Sequence, residues 1–214
     1  MDSYPLFKVR VSTPVLSLHA ATDELLDRLS GVVRAGKMHA EPSPYDDPIS
    51  FYEPDPDLRV AKWLRSMWRG RGTVEAEKWR LYFVVMVDGE PIGMQDVWGV
   101  EFATFGTVTS FSWLSSDHRG RGYGQEMRTA MLHLAFEGLG AKEATSDAFV
   151  DNQGSNAISR NLGYEPNGAD WATRQGEPVL LNRWRLTRST WEKHRRDDIQ
   201  LHNIEACHAF LPLI

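Results

Sequence analysis

The stretch Arg119-Gly120-Arg121-Gly122-Tyr123-Gly124 holds the residue types in this 214-residue chain that point most directly to chemistry. It joins a β-forming run, Thr107 to Leu114, to a segment of helical periodicity. The first N–H groups of a helix have no intrahelical partner and lie at the positive end of its dipole, and glycines let a ligand come close to them. Such a turn cradles an anion, a pyrophosphate above all. A tight strand-to-helix connection is the other reading of the same glycines. Two nucleotide-binding patterns are excluded. A phosphate loop for nucleoside triphosphates needs Gly-Lys-Ser/Thr, which is absent, and a dinucleotide fingerprint belongs in the first strand–helix unit, whereas this turn follows the fourth strand.

The elements around the turn must position it. A helix opens there, with Met127, Ala130, Met131, Leu134, Ala135 and Leu139 following the 3.6-residue period until Gly140 ends it. Upstream, Leu81 to Val87 and Pro91 to Val97 predict a hairpin turned at Asp88-Gly89. Downstream come a strand over Glu143 to Val150 and a short helix over Ser155 to Leu162, stopped by Gly163. A second hairpin pairs Trp171 to Arg174 with Val179 to Leu186 through Gln175-Gly176-Glu177-Pro178. Near the start, the alternating Phe7-Lys8-Val9-Arg10-Val11 predicts a strand. Thr22 to Val33 predicts a helix capped by Thr22, with Leu25, Leu26 and Leu29 at helical spacing. Leu58 to Trp68 predicts another, with Val60, Ala61, Leu64, Met67 and Trp68 on one face. Between these helices, Lys37 to Arg59 reads as an irregular loop, rich in proline and carrying Glu41, Asp46, Asp47, Glu53, Asp55 and Asp57 with no Lys or Arg inside. At the far end, Trp191 to Asp198 reads as a charged helix, and Cys207 to Ile214 is apolar enough to pack.

Composition narrows the function classes. With 42% hydrophobic and 25% charged residues the chain is globular, and no apolar run approaches the ~20 residues of a membrane span, so no membrane partner is expected. Met1-Asp2-Ser3-Tyr4-Pro5 lacks the basic-then-apolar pattern of a secretory leader and Cys207 is the only cysteine, so the cytoplasm is the expected compartment. A net charge of −5 leaves no cationic excess for a phosphate backbone. No nucleic acid partner is expected; amine-bearing partners suit the sign.

Arg119, Gly122 and Gly124 fit the pattern Arg/Gln-x-x-Gly-x-Gly/Ala, and Asn152-Gln153-Gly154-Ser155-Asn156 through Gly163-Tyr164 fits Asn-x-x-Ser…Gly-Phe/Tyr. On these residues the sequence resembles the GNAT superfamily of N-acetyltransferases, in particular its RimJ/RimL-like branch of ribosomal-protein N-terminal acetyltransferases. The resemblance runs from about Phe7 to Arg188 and is strongest from Pro91 to Gly168. It implies an α/β (α+β) fold whose mixed, mostly antiparallel central sheet is splayed between strands 4 and 5 and flanked by helices. The acyltransferase domain then covers residues 1–188, and 189–214 is an extension packing on the same domain or on a partner in a homodimer. The implied donor is acetyl-CoA or another acyl-CoA such as succinyl-CoA, with no metal. Backbone groups near Trp113 and Leu114 would pair with the pantetheine arm, and the amides of Arg119, Gly120, Arg121, Gly122, Tyr123 and Gly124 would hold the pyrophosphate. Asn152 would contact the pantetheine arm.

The implied reaction is direct attack of a primary amine on a thioester in a ternary complex. That reaction needs a neutral amine, a polarised carbonyl and a stabilised thiolate. Similarity to RimL points to Ser155 at the sulfur; an ordinary helix-start hydroxyl is the alternative. Ser159 stands where other branches place a tyrosine acid, and Tyr164 matches a packing aromatic. The base departs from the family pattern, because its carboxylate positions fall at Ser115 or Ser116 and at Thr109. Asp96, Glu101 and Asp117 are the substitutes, His118 and His133 read as structural, and positioning with water as proton acceptor is a further option. On the acceptor side, the acidic loop with Trp63, Trp68 and Trp98 would form a negative, aromatic rim for a cationic amine. That amine could belong to a protein or to a small molecule such as an antibiotic, and Arg80 or Arg174 could meet an acidic acyl tail. A module that binds acyl-CoA without catalysis is the competing class.

Overall fold

The computed structural model describes residues 3–46 and 51–211; Asp47 and Pro48 of the acidic loop and residues 212–214 of the tail lie outside them. The chain runs β1 (Arg10–Ser12), β2 (Ser17–Ala20), α1 (Asp23–Arg34), α2 (Pro56–Arg71), β3 (Lys78–Val87), β4 (Glu90–Val100), α3 (Phe102–Phe105), β5 (Thr107–Thr109), β6 (Ser112–Leu114) and α4 (Tyr123–His133). It continues with β7 (Glu143–Phe149), α5 (Gln153–Asn161), β8 (Glu165–Arg174), β9 (Glu177–Thr187), α6 (Arg188–Glu192), β10 (Gln200–His202) and α7 (Glu205–Phe210). One open sheet has the order β10-β1-β2-β3-β4-β5-β7-β9-β8, with β6 also on β4. The β5–β7 pair is parallel and the other pairs are antiparallel. This is the mixed, mostly antiparallel sheet flanked by helices that the motifs implied.

Strand alternation divides the core into two layers. On β3, Phe83 and Val85 face the cluster that holds Met127, Ala130 and Met131 of α4 and Leu134 of the π-helical turn Leu134–Gly138 that follows it. Their neighbours Val84 and Met86 face the opposite cluster, with Leu26, Leu29 and Val33 of α1 and Val60, Trp63 and Met67 of α2. A period of two on the strand and of 3.6 on the helices therefore places the sheet between two helical layers. Thr22 caps α1 by accepting the Leu25 N–H, and Asp55 caps α2 by accepting that of Leu58.

Several predicted elements are corrected. Residues Pro5–Lys8 form a 3-10 turn with Leu6 and Val9 buried three apart, so the first strand starts at Arg10 rather than Phe7. The strand Ser17–Ala20 was not foreseen. On α2, which begins two residues earlier than expected, the buried face is Val60, Trp63 and Met67, packed into the cluster with Leu26, Leu29 and Val33 of α1, while Ala61 and Trp68 are exposed. The single strand expected over Thr107–Leu114 is two. In place of the charged helix at Trp191–Asp198 there is α6, followed by β10, whose backbone completes the outer edge of β1.

Candidate functional site

The break between β5 and β6 opens the site. β5 pairs with β7 only from Thr107↔Glu143 to Thr109↔Thr145, and beyond it β6 pairs with β4 alone. At the break, Asp96 accepts the Phe111 N–H on Oδ1 at 2.7 Å, and the Asp96 N–H donates to the Phe111 carbonyl at 2.9 Å. A side chain thus takes the donor that a regular ladder would give to the neighbouring backbone. The strand buckles at Ser110-Phe111, β6 and β7 separate, and between them lies a cavity of about 730 Å³. Its walls come from the β5–β7 region, the turn before α4, the start of α5, and Ser43–Asp46 of the acidic loop region only in part, through Pro44, Tyr45 and Asp46.

At one end of this cavity sits the glycine turn. Gly120 and Gly122 have φ of +73° and +83°, the left-handed region that glycine enters without strain. Gly122 is the N-cap of α4 and offers no side chain to its amides. Among the described residues, the N–H groups of Gly120, Arg121, Gly122, Tyr123 and Gly124 meet no acceptor. Arg119 serves the turn differently from its neighbours. Its guanidinium folds away, donating to the carbonyls of Leu114 (3.1 Å), His39 (2.7 Å) and Met38 (2.7 Å), and ties the loop after α1 to the turn. Burial lowers its pKa.

Along the wall, α5 and β7 meet α4 at Arg128, which is 6% exposed. This guanidinium donates to Ser159 Oγ (3.0 Å), Ser146 Oγ (3.3 Å) and Ser155 Oγ (3.4 Å). Its Nε has no partner among the described residues. Asn152 caps α5 by accepting the Ser155 N–H (3.1 Å), while its amide reaches the Pro44 carbonyl at 3.5 Å. Across the mouth, Asp46 accepts from Thr173 Oγ1 (2.7 Å) and from the Gln175 N–H (3.0 Å), joining the acidic loop to the β8–β9 hairpin.

Residues 32–165, more than half of the chain, match the family model described as "Acetyltransferase (GNAT) domain". The chain belongs to the GNAT acetyltransferases. It is an acyl-CoA-dependent acyltransferase of this type, and solved GNAT structures share its fold. Mycobacterium smegmatis RimJ in complex with CoA-disulfide superposes with a TM-score of 0.69 at 19% identity, over 94% of this chain and 92% of that one. RimL, a ribosomal alpha-N-protein acetyltransferase in complex with coenzyme A, gives 0.62 at 18% identity, over 82% and 95%. The microcin self-immunity acetyltransferase MccE, in complex with acetyl-CoA and AMP, gives 0.63 at 15% identity, over 81% and 93%.

The GNAT cavity fits an acyl-CoA on its own geometry: unpaired amides at the positive end of a helix suit a diphosphate, and the elongated gap between two strand edges suits a pantetheine arm. Of the residues expected around the donor, Trp113, Leu114, Arg119, Gly120, Gly122, Gly124, Asn152 and Ser155 line the cavity; Arg121 and Tyr123 contribute to the turn but do not line it. Among the described residues, no helix is long and apolar enough to cross a membrane.

The expected bases lie elsewhere. Asp96 is buried and holds Arg80 (Nε to Oδ2, 2.9 Å) as well as the Phe111 N–H, and burial raises its pKa against the pull of Arg80. Glu101 is exposed past the end of β4, and neither lines the cavity. Asp117 pairs with Lys37 at 2.5 Å, which lowers its pKa. His133 is packed against Trp191, and burial lowers its pKa. Ser115 is buried, and Thr109 bonds Thr145 at the fork of the sheet. The arginines considered for an acidic acyl tail are occupied, Arg80 by Asp96 and Arg174 by Asp151. Nor do the tryptophans make a rim at this cavity. Trp63 is fully buried under α1, Trp68 donates to Asp23 on the outer surface, and Trp98 lies against Arg80.

Two wall residues went unnoticed in the sequence. Arg128 follows Gly124 and precedes Met131 and Ala135 on one helical stripe, so an i, i+4, i+7 reading would have flagged a cation on the buried face. Asp147 lines the cavity on β7 past the end of its pairing with β5, where β7 remains paired with β9 (Asp147↔Arg183) and only its other edge is free. Partial loss of solvent there raises its pKa, with Arg183 opposing and Asp170 assisting. It accepts no hydrogen bond among the described residues; Arg183 instead lies 3.9 Å from Asp170. A carboxylate inside a run of strand residues gives no sign from sequence alone that a free strand edge brings it to a cavity.

Proposed function

We propose that the protein N-acetylates a peptide α-amine, by direct attack on acetyl-CoA within a ternary complex. The observation that carries this is one cavity lined by the glycine turn with its free amides, the β6 edge at Trp113 and Leu114, Ser155 and the carboxylate of Asp147. The donor supplies a thioester, an acyl group already activated for transfer. The amides of Gly120 to Gly124 would hold its diphosphate, and the β6 edge at Trp113 and Leu114 would orient the pantetheine. Ser155 would donate a hydrogen bond to the departing sulfur. An α-amine has a pKa of roughly 7.7–8.0, low enough that a nearby carboxylate can take its last proton. Asp147 would take that role: it lines the cavity and loss of solvent raises its pKa, with Arg183 opposing. Asp96, behind the lining residue Phe111 and engaged by Arg80, fits a structural role better, and Glu101 does not line the cavity.

Support for a peptide acceptor comes from the β8–β9 hairpin, whose Ala172, Thr173 and Leu181 line the cavity. Trp171 and Leu180 form an exposed cross-strand pair on the β8–β9 hairpin, 69% and 36% exposed, and Val150 joins them through its N–H to the Leu180 carbonyl. This apolar strip beside a carboxylate-bearing cavity would seat side chains that follow a cationic N-terminus. RimL, whose fold this chain shares, acts on a protein α-amine; MccE, whose fold it shares equally, is a self-immunity enzyme. Incubation with acetyl-CoA and a panel of peptides, lysine, polyamines and amino antibiotics, read by free-thiol release, tests the assignment. Turnover fastest on peptides with a free N-terminus supports it; turnover confined to a small amine replaces the acceptor; tight donor binding with no turnover on any amine identifies a binding module.

A further inference from the structure

We infer that Arg128, with the hydroxyls of Ser146, Ser155 and Ser159, forms an anion subsite in the cavity wall that receives the sulfur of coenzyme A as a thiolate. The inference rests on the acyl-CoA reading and deepens it. Arg128 is more than nine-tenths buried, and every side-chain partner recorded for it is a neutral hydroxyl. Hydroxyl dipoles solvate a guanidinium but do not neutralise it, and a buried cation is best stabilised by a paired anion. Arg128 and Ser155 both line the cavity, so the anion comes from that side. The diphosphate belongs to the cradle, one helical turn earlier. Acyl transfer itself creates two anions, the tetrahedral oxyanion and the thiolate, and Ser155, the hydroxyl that similarity to RimL puts at the sulfur, associates this site with the thiolate.

The hydrogen-bond direction supports the same role. Arg128 Nη2 donates to Ser155 Oγ, which occupies a lone pair of that oxygen and leaves its O–H free to donate into the cavity. In the transfer, the acceptor nitrogen forms the amide bond and the carbon–sulfur bond breaks with its electron pair on sulfur. The nitrogen proton passes to the base and then to water. Ser155 keeps its proton and shares it with sulfur, so no alkoxide is required. Arg128 acts through Ser155 and through its charge, as a positioning residue.

Other ionisable groups around this subsite leave its charge positive. From the segment after α5, Tyr164 is buried with its hydroxyl pKa pushed up to about 12, hence neutral. Asp147, next to Ser146 on β7, lines the same cavity, as do Asp46 and Tyr45 of the acidic loop and Arg119 of the turn; of these and the subsite residues, Arg128 is the cation that the three serine hydroxyls surround. Burial lowers the Arg128 pKa, with Tyr164 opposing, yet leaves an arginine protonated at neutral pH.

The test is the ionisation of bound coenzyme A, followed by the ultraviolet absorbance of the thiolate as pH is raised, with saturation checked by calorimetry. A simple thiol has a pKa of about 8.5. The bound thiol should ionise at least about one unit lower in the wild type, keep part of that shift in R128K, and lose it in R128M. With acetyl-CoA, R128M should lower kcat by about tenfold or more and change KM for the donor by less than about threefold. An unshifted thiol in the folded wild type overturns the inference, and so does succinyl-CoA binding at least about tenfold more tightly than acetyl-CoA in wild type but not R128M, which would give the charge to an acyl carboxylate. If calorimetry shows no coenzyme A complex at all, the donor assignment falls and this inference with it, a result distinct from a complex whose thiol is unshifted. Should R128M not fold, the wild type and R128K titrations still decide.

Discussion

Replacing Gly122 with alanine, against Gly168→Ala as its control, tests whether the glycine turn binds the donor or merely connects a strand to a helix. Both glycines have positive φ, +83° and +91°, and at neither would a new Cβ meet an atom within 4 Å. Each substitution therefore adds only the strain of a left-handed L-residue, roughly 1–2 kcal/mol. For a chain of this length that lowers Tm by roughly 2–8 °C. The functional effects should differ. Gly168 sits at the register shift of β8, away from the cavity lining, whereas Gly122 directs the amides that open α4. If strain turns one amide away from the diphosphate, a charge-assisted hydrogen bond worth about 1.5–3 kcal/mol is lost. That weakens acetyl-CoA binding roughly ten- to a hundredfold, measured by calorimetry on folded protein. Gly168→Ala should leave Kd within about twofold. Equal affinities in the two variants would refute the cradle and favour a plain strand-to-helix connection.

Three further outcomes follow from the geometry. Because burial raises the Asp147 pKa, the base form is present above that pKa and is lost as pH falls through it, so kcat should drop on an acid limb lying higher than an ordinary carboxylate would give; Asp147→Asn should lower kcat about a hundredfold or more and abolish that limb. Asp96→Ala removes a buried carboxylate from Arg80 and from the Phe111 N–H; because Arg80 keeps partial exposure and its contact with Trp98, a loss of about 2–4 kcal/mol is expected by denaturant melts, and an unchanged midpoint would deny Asp96 its structural role. Trp63→Ala, in the centre of the layer beneath α1 and α2, should cost about 3–5 kcal/mol of stability, and a small surface-like loss in thermal melts would contradict the corrected helix face.

What the sequence made legible were features written in local pattern. The buried stripe Met127, Ala130 and Met131 of α4 and the Asp88-Gly89 hairpin recur in the structure because helical period and turn chemistry determine them, whereas the stretch expected to carry the 3.6 period on to Leu139 winds as a π-helical turn over Leu134–Gly138. Short strands were not legible. Ser17–Ala20, between β1 and β3, and Gln200–His202, outside β1, have little β-forming bias and form through pairing with those neighbours. Nor could the break at Ser110-Phe111 be read from its own residues, since Asp96 on another strand takes the Phe111 N–H. The same limit hid the site chemistry. The glycine turn is contiguous and was found, whereas the Arg128–serine cluster joins α4, β7 and α5 through contacts of 3.0–3.4 Å that only folding creates. The tryptophans misled for a related reason: Trp63 lies on the stripe with Val60 and Met67 that packs against Leu26, Leu29 and Val33 of α1, a tertiary contact that decides which side of α2 is buried.

A crystal structure of the protein soaked with acetyl-CoA examines the central claim most directly. The account predicts the diphosphate within hydrogen-bonding distance of the Gly120 to Gly124 amides, the pantetheine between β6 and β7, and the sulfur beside Ser155. A donor bound elsewhere, or a cavity left without it in crystals saturated with acetyl-CoA, would contradict the account.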